Sequence, residues 1–159
     1  MEIEALPTLL TSPRRVHYVG PERVEVLLST DETDGQFGMF TSDVPPASGP
    51  PPHVHERESE TLYVASGRFE FWVDGETVVC DPGQVAHVPA GVPHTFRNLS
   101  EHESRLVVVV APGGFEGYFA AVGTPEPGVV DGEVVERLMA AAPDFHIAFL
   151  PPPSAAGAR

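Results

Sequence analysis

The chain contains no lysine; all nine of its cationic residues are arginine. Schiff-base chemistry on a lysine side chain is therefore excluded. A single cysteine, Cys80, cannot form an internal disulfide, nor supply the set of thiolates that closes most structural zinc sites. Long apolar runs are lacking too. The longest, Leu106 to Ala111, has strand length and falls far short of the roughly 20 residues that a membrane helix needs. The N-terminus has neither the basic start nor the apolar stretch of an export signal, so with one thiol a reducing cytoplasm is the expected location. Positive charge is scarce: 23 acidic residues against 9 cationic ones leave a formal charge of −14. Such a surface repels phosphate, and neither nucleic acid nor an anionic membrane is an expected partner.

What is present reads as one globular domain, 159 residues with 42% hydrophobic content. β-rich runs at Arg15–Val19 and Arg23–Leu28 flank Gly20-Pro21, and Phe37–Ser42 predicts a further strand. Val44–Pro52 carries five prolines and is expected as an extended loop at the mouth of a site. From Thr61 a hairpin series follows: Leu62–Val64, Phe69–Val73, Asp74-Gly75 as a two-residue turn, Thr77–Cys80, Val85–Pro89, with Arg105–Val110 closing the series. Short strands at regular spacing predict an antiparallel sandwich or barrel. After Pro112 the period changes. Phe115, Tyr118 and Phe119 recur at helical spacing, and Asp131 is the expected N-cap of a helix over Glu133–Ala142. The expected division is an arm over 1–13, a barrel over 14–112, a helical extension over 113–150 and a tail over 151–159.

Histidine carries the chemistry. A strand sends residues i and i+2 to one face, roughly 6.6 Å apart, so His53 and His55 can address one ion. With four residues between, Glu60 can bring a carboxylate round to it, and Glu56 and Glu58 lie nearby. The turn Pro89-Ala90-Gly91 predicts His94 at the start of another strand. Three imidazoles and a carboxylate suit one divalent transition metal (iron, nickel, cobalt, manganese, copper or zinc) and leave coordination positions open to substrate. His87, seven residues before His94, is expected as a packed or surface residue, and His17, His102 and His146 have no partner at ligand spacing. Phe69, Phe71 and Val73 share a core face. Trp72 therefore points outward, to a dimer contact or under the arm, and Phe115 and Phe119 are expected to dock the helical segment. Cys80 has no basic neighbour in sequence and is expected as a buried structural thiol.

Two stretches together resemble the paired motifs of the cupin superfamily. The first is His53-x-His55, four residues, Glu60, six residues, Gly67; the second is Gly83, five residues, Pro89-Ala90-Gly91, two residues, His94, three residues, Asn98. A shorter gap after His55 would land on Ser59, so Glu60 rather than Glu58 carries the match. The glycine that opens the first motif is replaced by Ala47, with Gly49 nearest. The resemblance implies an all-β double-stranded β-helix (jelly-roll) barrel with short C-terminal helices. It carries the metal ligands to His53, His55, Glu60 and His94, leaves Asn98 a structural role, and brings an expectation of a homodimer.

The spellings Pro51-Pro52-His53-Val54-His55 and Pro112-Gly113-Gly114-Phe115-Glu116-Gly117-Tyr118-Phe119 are similar to single-domain quercetinase-like cupins. That likeness implies 2,4-dioxygenolytic cleavage of a flavonol-like or other enolisable aromatic, with dioxygen as co-substrate and Glu60 as the catalytic base. Two other readings stay open: a metal-dependent cyclase or isomerase that consumes no dioxygen, and a binding module whose metal only orders the barrel.

Overall fold

The structure is a computed structural model and describes residues 15–151. The expected arm over 1–13 and, past Pro151, the expected tail lie outside the described residues. The fold comprises strands β1 (Arg15–Val19), β2 (Glu22–Leu28), β3 (Gly38–Val44), β4 (His53–His55), β5 (Ser59–Val64), β6 (Phe69–Val73), β7 (Glu76–Cys80), β8 (Val85–Val88), β9 (His94–Asn98) and β10 (Ser104–Ala111). Two helices, α1 (Tyr118–Val122) and α2 (Gly132–Ala141), follow, and then strand β11 (Ile147–Phe149). The strands form a six-stranded sheet in the order β1-β2-β3-β10-β5-β8 and a five-stranded sheet in the order β11-β4-β9-β6-β7. All pairings are antiparallel, and the two sheets enclose one core. This is the double-stranded β-helix that the motifs imply.

Local chemistry explains the elements. Asp74 and Gly75 both take positive φ (47° and 87°), the two-residue turn whose twist matches its flanking strands, and Val73 pairs with Glu76 across it. Asp131 caps α2, its carboxylate accepting from the Val134 N–H at 3.0 Å.

Alternation governs β10. Its apolar run suggests a strand buried on both faces, yet only Ser104, Leu106, Val108 and Val110 are buried, while Val107 and Val109 are half-buried on the outer face. Nor does β10 end the sheet. It lies between β3 and β5, so the last barrel strand in sequence is central in space. The inner faces supply Phe40, Val44, Leu62, Phe69, Phe71 and Leu106 to the core. Cys80 is buried there, and burial pushes its thiol above the ordinary range, with Asp81 adding to the shift.

β11 is not predicted by the sequence. Ile147, Ala148 and Phe149 pair with His55, Val54 and His53, so the chain beyond the helices returns to the sheet edge beside the histidine strand. Three residues close to a proline run carry too short a pattern for alternation to show.

Candidate metal centre

The histidine strand β4 is held on both sides, by β11 and by β9, where His53 stands directly opposite His94. His55 shares the inward face of β4 with His53. Glu60 comes from the other sheet, on β5 between β10 and β8. The four side chains meet where the sheets face each other, all buried, and one donor atom from each lies within 4.8 Å of every other. The imidazole centroids are 4.4 Å apart for His53 and His94, 5.0 Å for His53 and His55 and 5.4 Å for His55 and His94.

Backbone carbonyls orient two of the rings. The Nδ1–H of His53 donates to the Pro51 carbonyl at 2.8 Å and that of His94 to the Val92 carbonyl at 2.9 Å. A carbonyl only accepts, so both protons are fixed on Nδ1 and both Nε2 atoms turn toward the centre, as metal-binding imidazoles are held. Nε2 of His94 lies 2.8 Å from Oε2 of Glu60. Nε2 of His55 lies 3.4 Å from the same oxygen without hydrogen-bond alignment, and neither of its ring nitrogens has a hydrogen-bond partner among the described residues. Buried polar atoms without partners are rare and costly. The unpartnered His55 nitrogens fit the donor set of a metal ligand. The group present therefore fits a divalent transition metal: three nitrogens and one carboxylate, buried and preorganised.

The electrostatics agree. Burial, together with the neighbouring His94, pushes His53 down to about 4, so the ring is neutral and able to ligate. Burial alone would raise Glu60, but His55 and His94 outweigh it and hold the carboxyl well below the usual range. His94 is raised, because the Glu60 carboxylate overcomes its desolvation.

Beside the cluster opens a cavity of about 430 Å³. His53 and Glu60 form part of its wall, and Phe40, Val108, Phe115, Phe119 and Phe149 much of the rest. The Phe115 ring meets His55 edge-on at 4.3 Å. Phe115 and Phe119 thus dock their segment, as expected, and in doing so also become cavity wall. Ser48, Gly49, Pro50 and Pro51 line the same cavity, which places the proline loop at its edge.

His87 stays outside: it is exposed, and its Nδ1 bonds Thr61 Oγ1 at 2.9 Å. Trp72 faces away from the core into a shallow groove with Ala47, Gly49 and Pro50. Asn98 is fully buried, its Nδ2 donating to Val44 and His102 carbonyls at 2.9 and 2.8 Å and its Oδ1 accepting from the Ser100 N–H.

Two features were missed from sequence. Glu58, two residues before Glu60, is buried outside the cluster, with its carboxyl raised by desolvation. Glu22 and Ser42 line the cavity. The alternation of Glu22 with Val24 and Val26 was the available signal, since it puts all three on one face of β2.

Comparison with known proteins follows the same lines. The cupin domain family model matches residues 40–110. Quercetin 2,3-dioxygenase of Bacillus subtilis is 35% identical over 109 residues, covering 69% of this chain and 32% of that protein. The chain thus spans about a third of that relative's length. The polyketide synthase protein CurC of Streptomyces cyaneus is 33% identical over 79 residues, 50% of this chain and 51% of that one. Among solved structures, an RmlC-like cupin from Shewanella frigidimarina superposes with a TM-score of 0.56 at 20% identity, over 66% of this chain and 89% of that chain, a likeness of fold.

Proposed function

Because this chain belongs to the cupin family, we propose that it is a metal-dependent dioxygenase of the quercetinase-like kind, acting on a flavonol-like or other enolisable aromatic. The observation that carries this reading is the junction of four buried donors with a largely apolar cavity of about 430 Å³, a size suited to a small aromatic molecule. His53, His55, Glu60 and His94 would hold the ion. When bound, the metal supplies Lewis-acid polarisation of the substrate's oxygen atoms.

The chain's own groups do the rest. The carbonyls of Pro51 and Val92 keep His53 and His94 aimed inward. Phe40, Phe115, Phe119 and Phe149 hold a flat ring and exclude water. The Glu60 carboxylate, whose Oε2 lies beside the imidazoles, accepts the proton of the substrate hydroxyl. A carboxylate with so low a pKa takes that proton only from a hydroxyl already made acidic. The same reading takes the protein as a homodimer in the cytoplasm.

The likeness to CurC supports a second reading, a metal-dependent cyclase or isomerase that consumes no dioxygen. An oxygen electrode with metal-loaded protein and a flavonol panel separates the two. Oxygen uptake with release of carbon monoxide is expected; turnover without uptake would move the assignment to the second reading. Ligand binding with no turnover at all, unchanged in Glu60→Gln, would leave only a binding module.

A further inference from the structure

The cavity holds a second carboxyl group that metal binding does not use. Glu22 begins β2 and shares its inner face with Val24 and Val26, both buried in the core. Across the strand pair, Ser42 lies on the inner face of β3, and its hydroxyl donates a short hydrogen bond to Oε1 of Glu22. Ser42 is the one hydrogen-bond partner of Glu22 among the described residues. Other polar groups nearby are engaged. The Tyr118 hydroxyl donates to the Leu138 carbonyl at 2.8 Å, and Asp43 is held by Arg105. Glu22 is half-buried on the cavity wall, with one carboxyl oxygen engaged by Ser42.

Its position is remote from the metal centre. Glu60 pairs with Val110, which pairs on its other side with Gly38, four residues from Ser42 along β3. Strand spacings put the two backbones about 10 Å apart across the sheet and about 13 Å along it, before each side chain reaches inward. A molecule reaching from one group to the other through the cavity would be longer than one ring.

We propose that Glu22, positioned by Ser42, is a substrate anchor that hydrogen-bonds a hydroxyl or carbonyl group borne by the substrate away from its metal-binding end. The inference rests on the metal-dependent reading above and narrows its substrate class to elongated aromatics with a second, distant oxygen function. Desolvation raises the Glu22 carboxyl above its ordinary value, with Ser42 opposing the shift, so the neutral form can donate as well as accept.

The test is binding, measured without oxygen on protein loaded with redox-inert zinc. The probes are 3-hydroxyflavone and its 4′- and 7-hydroxylated analogues, titrated by absorbance. On wild-type protein at least one hydroxylated analogue is expected to bind about tenfold tighter than the parent, the scale of one well-formed buried hydrogen bond. In Glu22→Leu that preference disappears, while zinc stoichiometry is retained. A wild-type protein that binds parent and analogues equally overturns the anchor, and so does a preference that survives Glu22→Leu. If no probe binds the zinc-loaded wild type, the flavonol-like reading falls and takes the anchor with it.

Discussion

The Nε2 atom of His94 and the Oε2 atom of Glu60 lie 2.8 Å apart, joining the two sheets of the barrel through one buried contact. A metal ion entering this centre must displace the proton that the pair shares, since both atoms are its ligands in the proposed site. Uptake therefore releases protons and weakens as pH falls. The pair also makes Glu60 the informative residue. Glu60→Gln keeps the shape but cannot accept a proton, and turnover is expected to fall by about 10²-fold or more. Steady-state rates at matched metal occupancy check this; undiminished turnover would remove Glu60 from the chemistry.

His55 supplies a test of the metal site that needs no substrate. Both of its ring nitrogens are buried without hydrogen-bond partners among the described residues. Replacing it with phenylalanine removes that unmet demand beside Phe115 but also the His55 contact with Glu60 at 3.4 Å, so metal-free stability is expected to change by no more than about 1 kcal/mol. The same change should abolish most of the stabilisation that zinc or nickel confers on the wild type. Thermal unfolding with and without chelator measures both. A wild-type protein whose melting temperature ignores every divalent metal offered would count against the site.

Glu22 predicts a pH dependence of stability. Its carboxyl is raised from 4.5, first by burial and then by repulsion from Asp43, with the Ser42 hydrogen bond opposing. Above pH 4.5 the unfolded chain releases this proton while the folded chain retains it, so the folded state binds more protons. Stability from this group is full below that pH and is lost as pH rises through the raised folded value. The melting temperature of Glu22→Gln relative to wild type should therefore climb as pH rises above 4.5 and level off once pH has passed the raised folded value. A flat difference across that range would mean the carboxyl is not desolvated.

Ala47 adopts φ of 56°, the left-handed region, at the position where the family motif has glycine. The turn thus persists with a residue that strains it. Ala47→Gly is expected to stabilise by a few tenths to about 1 kcal/mol, the αL penalty less the extra entropy of glycine. Chemical denaturation reads the change, and a destabilised variant would contradict the strain. Gly49 does not tolerate the reverse change, because a Cβ there would collide with the Phe96 carbonyl.

Asn98→Ala should be the most damaging change away from the metal centre. It strips the carbonyls of Val44 and His102 of a buried donor and the Ser100 N–H of its acceptor. Each unmet buried group costs about 1 to 3 kcal/mol. Soluble yield and melting temperature should both drop, with metal stoichiometry retained in the protein that folds.

Much of this molecule was set by local rules that a sequence displays. Strand period alone puts His53 and His55 on one face, Asp74-Gly75 dictates its turn, and Asp131 caps its helix, because each depends on residues a few positions apart. Spacing also raised His53, His55 and His94 as candidates, while the resemblance to the cupin motifs, not spacing alone, chose Glu60 over Glu58 for the proposed metal centre. Partnership between distant segments was another matter. That β10 lies between β3 and β5, that β11 returns to flank the histidine strand, and that Glu22 meets Ser42 inside the cavity are decided by which strands neighbour one another across the closed barrel. Long-range packing selects those neighbours, and no short window of residues contains both sides of such a contact.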